Sequence, residues 1–255
     1  MLVGSEKTAL PEFQVAVGTF LCLIAAAFGS RLISARCPPR QLRQDTLETV
    51  RLVNNIFVVM ASLALGLMLN SAKNTFETNQ RNIHALATSL ILLDRTMRSV
   101  GPEADEAHRH LIEYVRASLK ERNIAEEDPQ AEALLDAVGA SLRAIRLADE
   151  QRTALWDDAR QLYRQAVQQR WIVVDAAEGT IPPIMILMLI GWLIIVFIGF
   201  GYLAPRNLIV TTSFIVAALV ISGTLFVILD METPALGVVQ VSKSPFRRVL
   251  TEIQP

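Results

Sequence analysis

One stretch of the sequence, residues 52–72 (LVNNIFVVMASLALGLMLNSA), constrains the fold more than any other because it contains no charged side chain. A helix of these 21 residues, rising about 1.5 Å per residue, spans a hydrocarbon core of roughly 30 Å. Residues 73–100 then contain no proline or glycine that would end the helix. In this second part, a set of mostly apolar residues follows alternating spacings of three and four and so shares one helix face, as in a heptad seam. These residues are Phe76, Asn79, Ile83, Leu86, Leu90, Leu93, Met97 and Val100. The sequence therefore predicts one long helix that begins as a membrane span and continues into a helical domain.

Three further uncharged segments occur at residues 13–30, 179–205 and 207–229. Between the second and third of the four segments lies a charged stretch of 106 residues. The whole chain is 52% hydrophobic and 19% charged with a formal net charge of -1, and it has no basic stripe that would indicate nucleic-acid binding. We therefore predict an all-α membrane protein: four transmembrane helices with an extramembrane helical bundle continuous with the second and third spans.

Four regions follow from this pattern. We expect a first transmembrane helix pair in residues 1–72, the bundle in 73–180, a second pair in 181–229, and a tail in 230–255. In the bundle, prolines at positions 102 and 129 are expected to open helices, and the sequence leaves open whether 129–174 forms one helix or two. The tail is expected to be extended and then to form an interfacial amphipathic helix, whose apolar face comprises Phe246, Val249, Leu250 and Ile253.

The basic residues after the first span predict the orientation in the membrane. A short loop rich in arginine usually stays on the cytoplasmic side, and this one carries Arg31, Arg36, Arg40 and Arg43. Alternation of the spans then places the helical domain and both termini on the periplasmic side of a bacterial inner membrane. Lys243, Arg247 and Arg248 in the tail would also lie outside, which runs against the same rule.

Within residues 52–73, small and polar side chains follow one another at spacings of seven, four, four and three. We call this set the polar stripe; it consists of Asn55, Ser62, Gly66, Asn70 and Lys73. Such residues in hydrocarbon face protein or water. The stripe is therefore either a pore wall, with Lys73 as an anion-attracting ring at the mouth, or a packing seam between helices. Asn54 lies on another face, where we expect it to cap the helix near the interface.

The remaining polar residues give no indication of an enzyme. Asp230 and Glu232 end the fourth span, where they would bind a cation, gate a pore or be solvated at the interface. His108 and His110 point to different faces of one helix, and neither cysteine lies in a CxxC pair, so we predict no metal site. Because the sequence contains no Ser–His–Asp arrangement, phosphate-binding loop or HExxH motif, we predict no catalytic site and no cofactor.

The second hairpin and the tail resemble a known family. The strings FIGFGYLAPRN and VILDMETPALGVVQVSKSPFRRVL resemble the C-terminal signature of bacterial membrane proteins of the bestrophin-like DUF4239 family, and residues 71–104 resemble its central block. The matching positions are Gly201, Ala204, Pro205, Asn207, Leu229, Asp230, Glu232, Pro234, Gly237, Ser242 and Pro245. Ala235 stands where the family usually has phenylalanine.

This resemblance implies a function that the residues alone do not. It implies a four-span subunit of a homo-oligomeric channel that conducts anions, with the lipid bilayer, ions and further copies of the chain as partners. True bestrophins place their helical domain in the cytoplasm, whereas the arginines here favour the opposite side. The alternative is a membrane-anchored interaction or envelope-sensing protein whose bundle binds a partner and which transports nothing.

Overall fold

A computed structural model of the chain describes residues 10–34, 44–120, 124, 128–146, 150–176, 181–205, 207–232 and 242–254. These residues form eight α-helices, together with a turn of 3-10 helix at Pro102–Ala104, and contain no strand. The helices are α1 (Leu10–Ser34), α2 (Gln44–Val100), α3 (Asp105–Lys120), α4 (Pro129–Ala144), α5 (Glu150–Asp175), α6 (Pro183–Leu203), α7 (Leu208–Glu232) and α8 (Ser244–Ile253). Four of them, α1, α2, α6 and α7, are long and apolar enough to cross a membrane. The prediction of an all-α membrane protein is confirmed.

Helix α2 is a single helix of 57 residues, as the absence of a breaker predicts. Helix α5 ends at Asp175, and α6 begins at Pro183. A proline disfavours helical geometry in the residue before it, and Pro183 occupies the first helical position of α6.

The chain forms two compact units. The first comprises Met1–Asn74 and Thr180–Glu232, and the second comprises Thr75–Gly179 and Thr233–Pro255. In the first unit α1 packs against both α6 and α7. Its core contains buried side chains from all four apolar helices, among them Leu23, Ala61, Leu193 and Leu225.

The second unit is a helical bundle built around the C-terminal part of α2. The predicted seam is its core: every member from Ile83 to Val100 is buried, and Asn79 is buried with them. Helix α3 packs against α4 and α8. The two carboxylate oxygens of Asp128 accept hydrogen bonds from the backbone N–H groups of Gln130 (3.0 Å) and Ala131 (2.9 Å), which caps α4 at the predicted position.

The structure decides one question about the bundle that the sequence left open, and it contradicts one expectation. The region 129–174 is two helices, because α4 ends at Ala144 and Ile145 adopts an extended conformation. The apolar face of α8 does not lie on a membrane surface: Phe246, Val249 and Ile253 are fully buried in the core of the second unit. An amphipathic pattern shows that one face is covered but not what covers it. The extended segment expected at 233–241 lies outside the described residues.

Candidate functional site

The polar stripe lies on the outside of the first unit. Asn55, Ser62, Gly66, Asn70 and Lys73 are all exposed, and a methyl group added at Gly66 would meet no atom within 4 Å. The Ser62 hydroxyl donates to the carbonyl of Val58, at 2.7 Å on its own helix. Within the described part of the chain, no helix of the same subunit covers the stripe. A packing seam along it would therefore have to lie between subunits.

Asn54 does not cap the helix near the interface. It lies ten residues inside α2, where its side chain is 4% exposed. The side chain rests against Gly199 of α6, so closely that a methyl group at Gly199 would overlap its amide. Among the residues described, the Asn54 Nδ2 atom finds no hydrogen-bond partner. Asn54 thus holds the inner face of α2 against α6, while the polar stripe lies on the outer face.

Two glycines bring α6 close to its neighbours at this end of the unit. While Gly199 faces Asn54 on α2, Gly201 faces α1, where a methyl group would overlap Ser30 Oγ and the carbonyl oxygen of Ala27. The absence of a side chain at both positions lets the three helices approach one another. Gly201 belongs to the family motif, and this contact gives a physical reason for glycine there.

Arg31 lies within α1, whereas the sequence predicts it in the following loop. It is 8% exposed, and its guanidinium donates to the Pro205 carbonyl (2.7 Å) and to Thr211 Oγ1 (2.9 Å). It therefore joins the end of α6 to the start of α7. A cation at the C-terminus of α6 also complements the negative end of that helix. Sequence reasoning missed this role, because an arginine just after an apolar run has the same pattern in a loop and in a helix.

The turn between α6 and α7 accounts for three more residues of the family motif. Ala204 and Pro205 follow the last residue of α6, and Ala204 is extended. Asn207 Oδ1 accepts a hydrogen bond from the backbone N–H of Val210 at 2.9 Å, which caps α7. These residues build an antiparallel hairpin of two spans and contribute no chemically reactive group.

The two acidic residues at the end of α7 are buried rather than solvated. Asp230 is 0% exposed and Glu232 is 4% exposed. Glu232 Oε2 accepts a hydrogen bond from the backbone N–H of Ile181 (3.1 Å), just before α6 begins. The carboxylate thus fastens the end of α7 to the start of α6. The next motif residues, Pro234 and Gly237, lie outside the described residues.

The histidines contact different elements, as their spacing predicts. His108 Nε2 lies 2.8 Å from Asp94 Oδ1 on α2, whereas His110 Nδ1 lies 3.1 Å from Ser141 Oγ on α4. Among the residues that the structure describes, no group of three or more His, Cys, Asp or Glu side chains could hold a metal ion.

A family model for the bestrophin-like domain matches residues 21–246. The chain belongs to the bestrophin-like family. The match includes the polar stripe, the α6–α7 turn and the acidic end of α7. No curated protein is similar enough in sequence to count as a relative.

A solved structure supports the same fold for this bestrophin-like chain. It is the crystal structure of a point mutant of a bacterial bestrophin homologue from Klebsiella pneumoniae. The alignment has a TM-score of 0.56 at 12% sequence identity, and it covers 93% of this chain and 97% of that one. At this identity the likeness concerns the fold alone. The fold does not by itself assign a role to the polar stripe.

Proposed function

We propose that the protein is one subunit of a homo-oligomeric channel in the bacterial inner membrane, that it conducts anions, and that the polar stripe lines the pore. The observation that carries the proposal is the exposure of this stripe on a helix long enough to span the bilayer. Two asparagines and a lysine facing lipid would be costly, whereas water or a neighbouring subunit satisfies them.

Further copies of the chain are needed to form such a path. The four spans of one subunit are too few to surround a hydrated channel, and among the described residues the membrane part of α2 is covered on one face. A ring of subunits with α2 innermost gives the stripe access to water. Lys73, at the end of the stripe, then forms a ring of positive charge that favours anions over cations.

The test is ion flux through the purified oligomer in liposomes, with Lys73→Glu as the variant. We expect the wild type to pass chloride in preference to potassium, and the variant to reverse or abolish this preference, because it replaces a ring of cations by a ring of anions. Lys120→Glu is the matched control, since Lys120 is an exposed lysine of the bundle. It makes the same change of charge and should leave selectivity unchanged.

A second pair of variants tests the position of the path. Ser62→Cys places a thiol on the polar stripe, and Met60→Cys places one on an exposed face about 160° round the helix. A charged thiol reagent should block flux through the first variant and leave the second unaffected. If the reagent blocked flux equally through both variants, the polar stripe would not line the pore.

If liposomes that contain an oligomer of defined mass showed no ion flux, this result would contradict the proposal of a channel. The alternative, a membrane-anchored protein whose bundle binds a partner, would then become the working hypothesis.

A further inference from the structure

An ionic cluster around one buried carboxylate connects the C-terminal helix to the rest of the bundle. Asp94 of α2 is 2% exposed, and its two carboxylate oxygens contact Arg98 Nε at 2.9 Å and His108 Nε2 at 2.8 Å. The Arg98 guanidinium also donates to the backbone carbonyls of Ile253 (2.8 Å) and Glu252 (3.3 Å) in the last turn of α8. Arg98 therefore lies between a buried carboxylate and the end of the helix.

Ion pairs among the described residues bring five charged or titratable side chains together here. From α2 they are Asp94, Arg95 and Arg98; from α3, His108; and from α8, Glu252, which forms an exposed ion pair with Arg95 at 3.7 Å. The end of α8 itself carries the partial negative charge of a helix C-terminus. When Asp94 is ionised and His108 is neutral, the charges of Asp94 and Arg98 cancel. The helix end then gains little from its electrostatic surroundings.

We propose that Asp94, Arg98 and His108 make the docking of α8 proton-dependent, so that the helix is held more tightly as the pH falls. Protonation of Asp94 leaves the positive charge of Arg98 uncompensated and directed at the α8 carbonyls. Protonation of His108 adds a second positive charge beside it. Both protonations favour the negative end of a helix.

The burial of Asp94 also favours tighter docking of α8 at low pH. Burial raises the pKa of its carboxyl group above the ordinary value of 3.8, and this effect outweighs the opposing attraction of Arg98 and His108. Undocking of α8 would admit water to Asp94 and return the pKa of its carboxyl group towards the ordinary value. Protons then bind the docked state more tightly than the undocked one, so docking weakens as the pH rises through the raised pKa.

The experiment is amide hydrogen exchange of the full-length protein in lipid nanodiscs between pH 4.5 and pH 8. The exchange rates, corrected for the intrinsic pH dependence of exchange, give an equilibrium constant for the opening of α8. This constant is divided by the corresponding constant for α5 in the same molecules. We expect this ratio to rise about fivefold with increasing pH, as one charge at a helix end implies. A ratio that does not change with pH in the wild type would overturn the proposal.

Variants assign the effect to the cluster. Asp94→Asn should keep α8 protected at every pH, and His108→Gln should reduce the size of the change. His84→Gln and Asp136→Asn alter exposed residues outside the cluster and should keep the wild-type profile. An unchanged profile in Asp94→Asn would contradict the role of this carboxylate. Should that variant fail to fold, the wild type and His108→Gln still decide the question.

Discussion

At the scale of single residues, three positions at which the sequence resembles the family signature fasten the spans together. Gly201 permits the approach of α1, Asn207 caps α7, and Glu232 binds the backbone at the start of α6. Each makes a local contact that depends on its own side chain type. These three residues therefore shape the membrane unit, and the residues that we propose for conduction lie elsewhere, on the outer face of α2.

Gly201→Ala should destabilise the membrane unit. The added methyl group overlaps Ser30 Oγ and the Ala27 carbonyl oxygen, and a backbone atom cannot move aside as a flexible side chain could. We expect a loss of about 1–3 kcal/mol, the usual cost of overpacking. The measurement is thermal unfolding in detergent followed by circular dichroism. Gly191→Ala on the same helix meets no atom within 4 Å and should unfold at or above the wild-type temperature.

Residue roles of this kind can be predicted only in part from the sequence. The spacing of Asn55, Ser62 and Gly66 is enough to define a stripe, because a helix fixes which residues share a face. The partners of Asn54 and Arg31 could not be predicted, because they come from α6 and α7, more than a hundred residues away in the chain. A local pattern carries no information about such contacts.

At the scale of helices, the sequence is most informative where a pattern has one physical explanation. A long uncharged segment has to be a span, and the seam from Ile83 to Val100 has to be buried. Helix α8 shows the limit, because a core and a membrane surface produce the same amphipathic pattern. The sequence leaves open whether α4 and α5 are one helix or two for another reason: no proline or glycine marks the boundary between them.

Phe246→Ala tests the assignment of α8 to the bundle core. The ring is 0% exposed within the core of the second unit, so its removal leaves a cavity. Phenylalanine-to-alanine changes in cores cost about 3–5 kcal/mol. We expect faster amide exchange throughout α8 and a lower unfolding temperature in detergent. Arg247→Ala, at the exposed neighbouring position, should change neither. If α8 bound lipid instead of the bundle core, the substitution would leave the unfolding temperature in detergent unchanged.

At the scale of the whole molecule, one continuous helix belongs to both units. The N-terminal part of α2 carries the polar stripe, and its C-terminal part carries Asp94 and Arg98. A proton-dependent change at α8 would therefore act on the same helix that we propose as the pore wall. Flux measured between pH 5 and pH 8 in the wild type and in Asp94→Asn would reveal any such coupling. If α8 docking weakened with rising pH while ion flux stayed the same, docking and conduction would be independent of each other.

The sequence predicts which side of the membrane the helical bundle faces, and the fold does not decide this orientation. Arg31 no longer counts toward the positive-inside rule, because its charge is buried against α6 and α7. Arg36, Arg40 and Arg43 remain in the segment between the first two spans, and three basic residues in a short connection still favour the cytoplasmic side. We therefore expect the helical bundle to face the periplasm.

Single thiols in a Cys22→Ser, Cys37→Ser background test this orientation with a membrane-impermeant maleimide applied to bacterial spheroplasts. Asp157→Cys, at an exposed position of α5, should be labelled in intact spheroplasts. Gln41→Cys, in the arginine-rich segment, should be labelled only after the membrane is permeabilised. The reverse pattern would place the bundle in the cytoplasm, as in true bestrophins. The basic tail residues Lys243, Arg247 and Arg248 would then follow the positive-inside rule, and the arginines between the first two spans would be the exception.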